Sequence, residues 1–217
     1  MRNSYCNSFP DPFSVVSRIV SKLHSLWLAW TYPFASLGRG FWIHHSCQLR
    51  RSIAPHIRIG NSVHIYHDVW LNILSLSNNN EPQILLDDGC NIARRCIVSA
   101  QNCIHIGRDA IIGPAALITD HYHVFEGTNA PIAHQKATAG GTIRIEEGCW
   151  IGFGAAIVCS QGELVIGRNS VVGANSVVDR SIPPYSVVSG NPGRVVRQYD
   201  MSKEKWVMGS SAPTSRR

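Results

Sequence analysis

Charge is scarce in this chain: Asp, Glu, Lys and Arg together make up only 16% of its 217 residues. A long uncharged apolar run is also missing, so no segment is expected to cross a bilayer as a helix. The seven cysteines, Cys6, Cys47, Cys90, Cys96, Cys103, Cys149 and Cys159, are odd in number and scattered, with no Cys-x-x-Cys pair. That pattern excludes a close-paired redox or zinc motif and argues against a disulfide framework. The thiols read as small buried fillers in a reducing cytoplasm. The N-terminus lacks a basic start followed directly by an apolar run and a cleavage site, so no signal peptide is expected. The net charge is +6, yet no helical reading motif, zinc finger or aromatic-basic RNA signature accompanies it, and nucleic acid is a poor candidate partner.

What is present is a six-residue beat of aliphatic residues, often followed by glycine. It runs through Ile59-Gly60, Ile65 and Leu71, then Leu86, Ile92 and Val98, then Ile106-Gly107, Ile112-Gly113 and Ile118. It returns after a break as Ile166-Gly167, Val172-Gly173 and Val178. Such a period is neither helix nor hairpin. It belongs to parallel β-helices, in which each short strand buries its apolar face only by stacking on the coil below. Frequent glycine and β-branched aliphatics suit short buried strands joined by tight turns.

One convincing helix precedes the repeat, from Asp11 to Trp30. Asp11 can cap it, Pro12 fits its first turn, and Val16, Ile19, Val20, Leu23, Trp27 and Trp30 share a face. Ser17, Arg18, Ser21, Lys22 and Ser25 lie opposite. The apolar face is expected to cover the open end or a flank of the solenoid; the alternative is an interfacial helix resting on a membrane through its tryptophans and basic residues. The organisation expected is a helical segment over 1–40, a β-helix over 41–198 and a C-terminal tail over 199–217, disordered from Gly209 onward. Two breaks interrupt the beat, an Asn-rich loop from Ser75 to Gln83 and a longer ejected loop over 121–141. A shorter extension runs from Cys159 to Leu164. Chemistry is usually placed on loops ejected from a regular scaffold, and the longer one opens with His121 and His123. Arg168, Arg180, Arg194 and Arg197 crowd the end of the repeat in sequence and suggest an anionic ligand there.

These residues resemble the hexapeptide-repeat acyltransferases, in particular the sugar O-acetyltransferases of surface-polysaccharide synthesis and the maltose and galactoside acetyltransferases. The matching text is IGRDAIIGPAALITDHYH, Pro131-Ile132 with Gln135, then CWIGFGAAIV, VIGRNSVVGANSVV and SIPPYSVVSGNPGRVVR. It covers about residues 84 to 198. The resemblance implies a left-handed parallel β-helix of triangular section, a homotrimer, and acetyl-coenzyme A as donor in a groove between subunits. It implies no metal. By the same resemblance, His121 stands where relatives place the catalytic histidine, Phe153 and Ala174 where the backbone meets the pantetheine arm, Arg180 where relatives often have lysine, and Arg194 and Arg197 near the nucleotide phosphates.

Acyl transfer to a hydroxyl needs a base within hydrogen-bond reach, because an alcohol is a poor nucleophile at neutral pH. His121 is the first candidate and His123 the substitute. Strand alternation after Ile118 points both histidines outward and Asp120 the other way, so a carbonyl or another subunit is expected to hold the second ring nitrogen. Backbone amides of the coil Gly152, Phe153 and Gly154 are the candidate oxyanion donors. Arg95 and Asp120 are the candidate acceptor contacts; Arg95 falls where better-studied relatives carry asparagine, which suggests an acidic or phosphate-bearing sugar.

The reading these features favour is acetyl transfer to a saccharide hydroxyl, on a free or lipid-linked acceptor, in polysaccharide or lipopolysaccharide synthesis. A different acceptor, such as serine, an amino sugar or an antibiotic, keeps the fold. A zinc enzyme of the carbonic-anhydrase-like hexapeptide group would need paired histidines five residues apart on one coil, which His64, His67, His105 and His134 do not supply. A purely binding scaffold explains the repeat but not the histidine loop.

Overall fold

The computed structural model describes residues 12–77 and 81–209. Asp11, Cys6 and residues 210–217 lie outside these, and with them the cap assigned to Asp11 and most of the tail expected to be disordered.

The six-residue beat becomes a three-faced prism of parallel strands. The first face stacks Ser36–Leu37, Ile57–Ile59, Ile84–Leu86, Cys103–Ile106, Thr142–Ile145 and Glu163–Ile166. The second stacks Trp42–Ile43, His64–Ile65, Asn91–Ile92, Ile111–Ile112, Trp150–Ile151, Val171–Val172 and Ser186–Ser189. The third stacks Gln48–Leu49, Trp70–Ile73, Ile97–Ala100, Leu117–Thr119, Ala156–Val158 and Val177–Val178. The register keeps like over like: Ile59, Leu86, Ile106, Ile145 and Ile166 form one column, and Leu71, Val98, Ile118, Ile157 and Val178 another. Every residue in both columns is buried. Side chains alternate in and out along each strand, so the interior of the prism is a stack of aliphatic layers.

Glycine at the corners has a steric cause. A Cβ on Gly107 would come within 2.8 Å of the Ile145 carbonyl oxygen on the next coil, too close for any side chain.

The boundaries differ from the sequence expectation at both ends. Ser36–Leu37 already pairs with Arg58–Ile59 inside the segment assigned to the helix. After Ser189 the chain reverses, and Arg194–Asp200 and Lys205–Met208 add two antiparallel strands to the second face. That return carries no six-residue period, so the repeat could not announce it.

The helix, α1 (Pro12–Thr31), forms where expected but docks the other way round. Ser21, Ser25 and Leu28 are buried, whereas Ile19, Leu23, Trp27 and Trp30 are exposed. The reason lies in what α1 covers. Trp42–Ile43 is the edge strand of the second face and presents peptide groups with no strand partner on that side. The Ile43 amide donates to Ser25 Oγ at 2.9 Å, and that hydroxyl lies 3.2 Å from the Ile43 carbonyl. Ser17 and Ser21 reach His44 and His45 at 3.1 Å each. Hydroxyls satisfy a bare strand edge where aliphatic side chains would leave it unpaired. Among the described residues no helix is long and apolar enough to cross a membrane.

Candidate active site

The strand Leu117–Thr119 lies inside the third face, and the chain leaves the prism at the next corner. There Asp120 turns inward and is completely buried. Its carboxylate accepts hydrogen bonds from the backbone amides of Gln101 at 2.6 Å and Asn102 at 2.8 Å, one coil earlier. Its Oδ1 also lies 3.0 Å from Nδ1 of His121. The expectation that Asp120 points away from the histidine is therefore corrected. Asp120 does lie on the inward side that alternation gives it, but the corner bends the chain so that its carboxylate reaches both the two amides of the coil beside it and Nδ1 of His121. A carboxylate with no exposed surface and three donors around it also has no face for an acceptor, which corrects the expectation that Asp120 contacts the substrate.

His121 itself keeps 13% of its side chain exposed. Thr119 Oγ1 lies 3.4 Å from Nδ1 and donates to the His121 carbonyl at 3.1 Å. Among the described residues no protein group hydrogen-bonds Nε2. With Nδ1–H donated to the Asp120 carboxylate, Nε2 is the ring nitrogen left open to accept a proton.

The ejected loop folds back on itself. Thr138 N donates to the Tyr122 carbonyl and Val124 N to the Lys136 carbonyl, both at 2.9 Å, while His123 bridges Ala137. Gln135 ties the tip together through Gly127 and Ala130. The base of the loop is closed by Gly141 N on the Asp120 carbonyl at 2.8 Å. His123 is exposed, and among the described residues no carboxylate hydrogen-bonds it. Tyr122, Phe125 and Thr138 face Ser160 and Gln161 of the shorter extension across a cleft of about 280 Å³. The two irregular segments thus meet on one edge of the prism.

The remaining predicted residues fall on different edges. Corners between the second and third faces stack as a column of Arg95, Ala115, Gly154 and Asn175. Each of the last three donates its amide to the coil above: Ala115 to Arg94 at 2.9 Å, Gly154 to Pro114 at 2.9 Å, Asn175 to Phe153 at 2.8 Å. Gly152 N likewise donates to Val172 O at 2.7 Å. Two of the three expected oxyanion donors, the amides of Gly152 and Gly154, are therefore already used inside the solenoid. Their glycines answer to packing as well, since a Cβ on Gly152 would lie 2.7 Å from Val172 O. The amides of Phe153 and Ala174 make no protein hydrogen bond among the described residues, and both residues are exposed on successive coils of the same edge. Arg194 extends this line, pairing opposite Ser189 on the last coil, while Arg197 pairs opposite Val187.

Arg180 stands elsewhere, on the His121 edge two coils on, and is ion-paired to Asp179 at 3.0 Å. Arg168 occupies the corner between the first and second faces, after Ile166. The arginines that crowd together in sequence are spread over three corners, because a prism sends residues six apart to different edges. No single anion site gathers all four. Among the described residues no group of three or more His, Cys, Asp or Glu side chains converges as a metal set.

Within one chain, His121 and the Phe153–Ala174 edge are separated by the width of the third face. Ala115 to His121 is six residue steps across that face, a span of at most about 20 Å.

No family model matches the chain. It is 26% identical over 129 residues to WbbJ of Escherichia coli, described as a lipopolysaccharide biosynthesis O-acetyl transferase, covering 57% of this chain and 64% of that protein. It is 36% identical over 112 residues to the galactoside O-acetyltransferase of Escherichia coli, covering 44% of this chain and 54% of the relative. Among solved structures it superposes on a single-residue mutant of AntD, an N-acyltransferase from Bacillus cereus, in complex with dTDP and coenzyme A, with a TM-score of 0.65, 19% identity and coverage of 82% and 90% of the two chains. A hexapeptide-repeat acetyltransferase of Vibrio cholerae complexed with acetyl coenzyme A matches with a TM-score of 0.50, 23% identity and coverage of 82% and 77%. The chain is thus similar to hexapeptide-repeat acyltransferases in sequence and in fold. The left-handed parallel β-helix expected of this family is the fold observed. The chain spans about half to two thirds of the length of its first curated relatives, 64% of WbbJ and 51% of an acetyltransferase of Mycobacterium tuberculosis.

Proposed function

We propose that the protein transfers an acetyl group from acetyl-coenzyme A to a hydroxyl of a saccharide, free or lipid-linked, in the cytoplasmic steps of polysaccharide or lipopolysaccharide synthesis. The observation that carries this reading is the His121–Asp120 pair, with Nδ1 held at 3.0 Å by a fully buried carboxylate and Nε2 without a protein partner among the described residues.

In the reaction, Nε2 of His121 takes the proton of the acceptor hydroxyl as its oxygen bonds to the thioester carbonyl carbon. The charge on the resulting oxyanion is met by a backbone N–H, for which Phe153 is the available donor in its coil. Collapse breaks the carbon–sulfur bond. The imidazolium returns its proton to the leaving sulfur, giving the acetyl ester and coenzyme A with a free thiol. Asp120 fixes the tautomer and stabilises the imidazolium without taking a proton itself.

Because His121 and the Phe153–Ala174–Arg194 edge lie on opposite sides of the third face, one chain does not assemble a whole site. We assign the complete site to a groove between neighbouring subunits of a homotrimer, His121 and Arg180 coming from one copy and Phe153, Ala174, Arg194 and Arg197 from the next. Arg95, on the same edge as Phe153, then faces the partner's loop, where an acidic or phosphate-bearing acceptor would lie. An amine acceptor is the second reading, favoured by the likeness to AntD, an N-acyltransferase.

The test is release of free coenzyme A thiol from acetyl-coenzyme A in the presence of a panel of saccharides and amino sugars. Wild type is expected to acetylate a saccharide hydroxyl and His121→Ala to lose the reaction, with His123→Ala keeping most of it. Exclusive use of amines would replace the acceptor class, and full activity in His121→Ala would remove the base.

A further inference from the structure

The inverted docking of α1 leaves an apolar stripe facing solvent. Ile19, Val20, Leu23, Leu26, Trp27 and Trp30 are all 42% exposed or more, Trp30 reaching 87%. At 100° per residue they fall within an arc of about 120°. Isolated exposed aliphatics are ordinary, but a continuous stripe with two indoles marks a contact surface. The opposite face is already committed to the edge strand through Ser17, Ser21, Ser25 and Leu28, so the stripe cannot turn inward.

Charge says what covers it. Pro12–Thr31 contains Arg18 and Lys22 and no acidic residue. Both cations line the rim of a cleft of about 720 Å³ whose wall includes Phe41, Trp42 and Tyr66. A second copy laid helix against helix would bring these cations together with no anion on either helix. An anionic lipid surface supplies both missing partners at once, acyl chains for the stripe and phosphates for the cations. Tryptophan at the boundary between the two suits its apolar body and N–H donor.

We propose that α1 is a surface anchor that lies in the plane of an anionic bilayer, its Leu23–Trp27–Trp30 stripe entering the interface while Arg18 and Lys22 pair with headgroup phosphates. The anchor does not depend on the acyl-transfer reading.

Co-sedimentation of the full chain with vesicles of phosphatidylcholine alone, and with added phosphatidylglycerol, tests it against a vesicle-free control. Wild type is expected to pellet with the anionic vesicles. The pairs Trp27→Ser with Trp30→Ser, and Arg18→Glu with Lys22→Glu, should each weaken binding by about tenfold or more, with circular dichroism and elution volume unchanged. Wild type that stays in the supernatant overturns the proposal, as do tryptophan variants that bind vesicles undiminished. A wild type that ignores vesicles, while the tryptophan variants fall to a smaller assembly, assigns the stripe to a second copy instead. Quenching of wild-type tryptophan fluorescence by phosphatidylglycerol with brominated chains needs no variant, and its absence also overturns the anchor.

Discussion

At the scale of single residues, the decisive contact is the one made by a carboxylate that sees no solvent. Asp120 holds two amides and one imidazole at once, so its charge is used both to pin a corner of the fold and to orient His121. Asp120→Asn should lower kcat by roughly 10²–10⁴-fold, because an amide can favour the wrong tautomer of the ring. Steady-state kinetics should show KM for acetyl-coenzyme A near the wild-type value, since the side chain is buried away from any ligand. An equal loss in both parameters, tracking a fall in melting temperature, would reduce Asp120 to a structural role. His121 was visible in the sequence as a candidate because two histidines open the longest break in the repeat. Its contact with Asp120 was not, because alternation gives the side on which a residue lies but not the bend at the corner that brings an inward carboxylate to its neighbour's ring.

At the scale of elements, the repeat gave the coils and the ejected loop, and the structure stacks Ile59, Leu86, Ile106, Ile145 and Ile166 as that period requires. Helix α1 shows where such reasoning stops. Its apolar face was visible, but which face turns inward depended on the bare peptide groups of Trp42–Ile43, a property of the partner strand and not of the helix. The glycine-bearing coil at Gly152 makes the converse point. A sequence reading offers those glycines to a ligand, whereas the space around Gly152 is filled by Val172 O and Ala174 N of the next coil. Gly152→Ala should therefore cost about 1–3 kcal/mol of stability, read as a lower urea midpoint. An unchanged midpoint would mean the corner has room, and would return Gly152 to the binding surface.

At the scale of the whole molecule, the prism distributes what the sequence groups. Arg168, Arg180 and Arg194 sit on three different corners, and their separation could not be seen without knowing where each coil turns. The same stacking buries thiols throughout the core. Burial pushes Cys47 and Cys90 up to about 12, and Cys96 and Cys149 to about 11, from an ordinary 9.0. A raised folded-state value means this contribution to stability is complete below about pH 9 and is lost as pH rises through 9 to 12, where the unfolded chain ionises first. The melting temperature should hold steady just below pH 9 and fall above it. Replacing Cys90 and Cys149 by alanine should flatten that alkaline fall.

The central claim is that one chain supplies the base and its neighbour the donor edge. Co-expression of two inactive forms measures this directly: His121→Ala, which lacks the base, and Ala174→Trp, which blocks the donor edge. If sites lie between subunits, random mixing rebuilds intact sites at a fraction of about a quarter, and coenzyme A release should recover to about that fraction of the wild-type rate. Mixed assemblies that stay as inactive as either parent would place the whole site within a single chain and contradict the account.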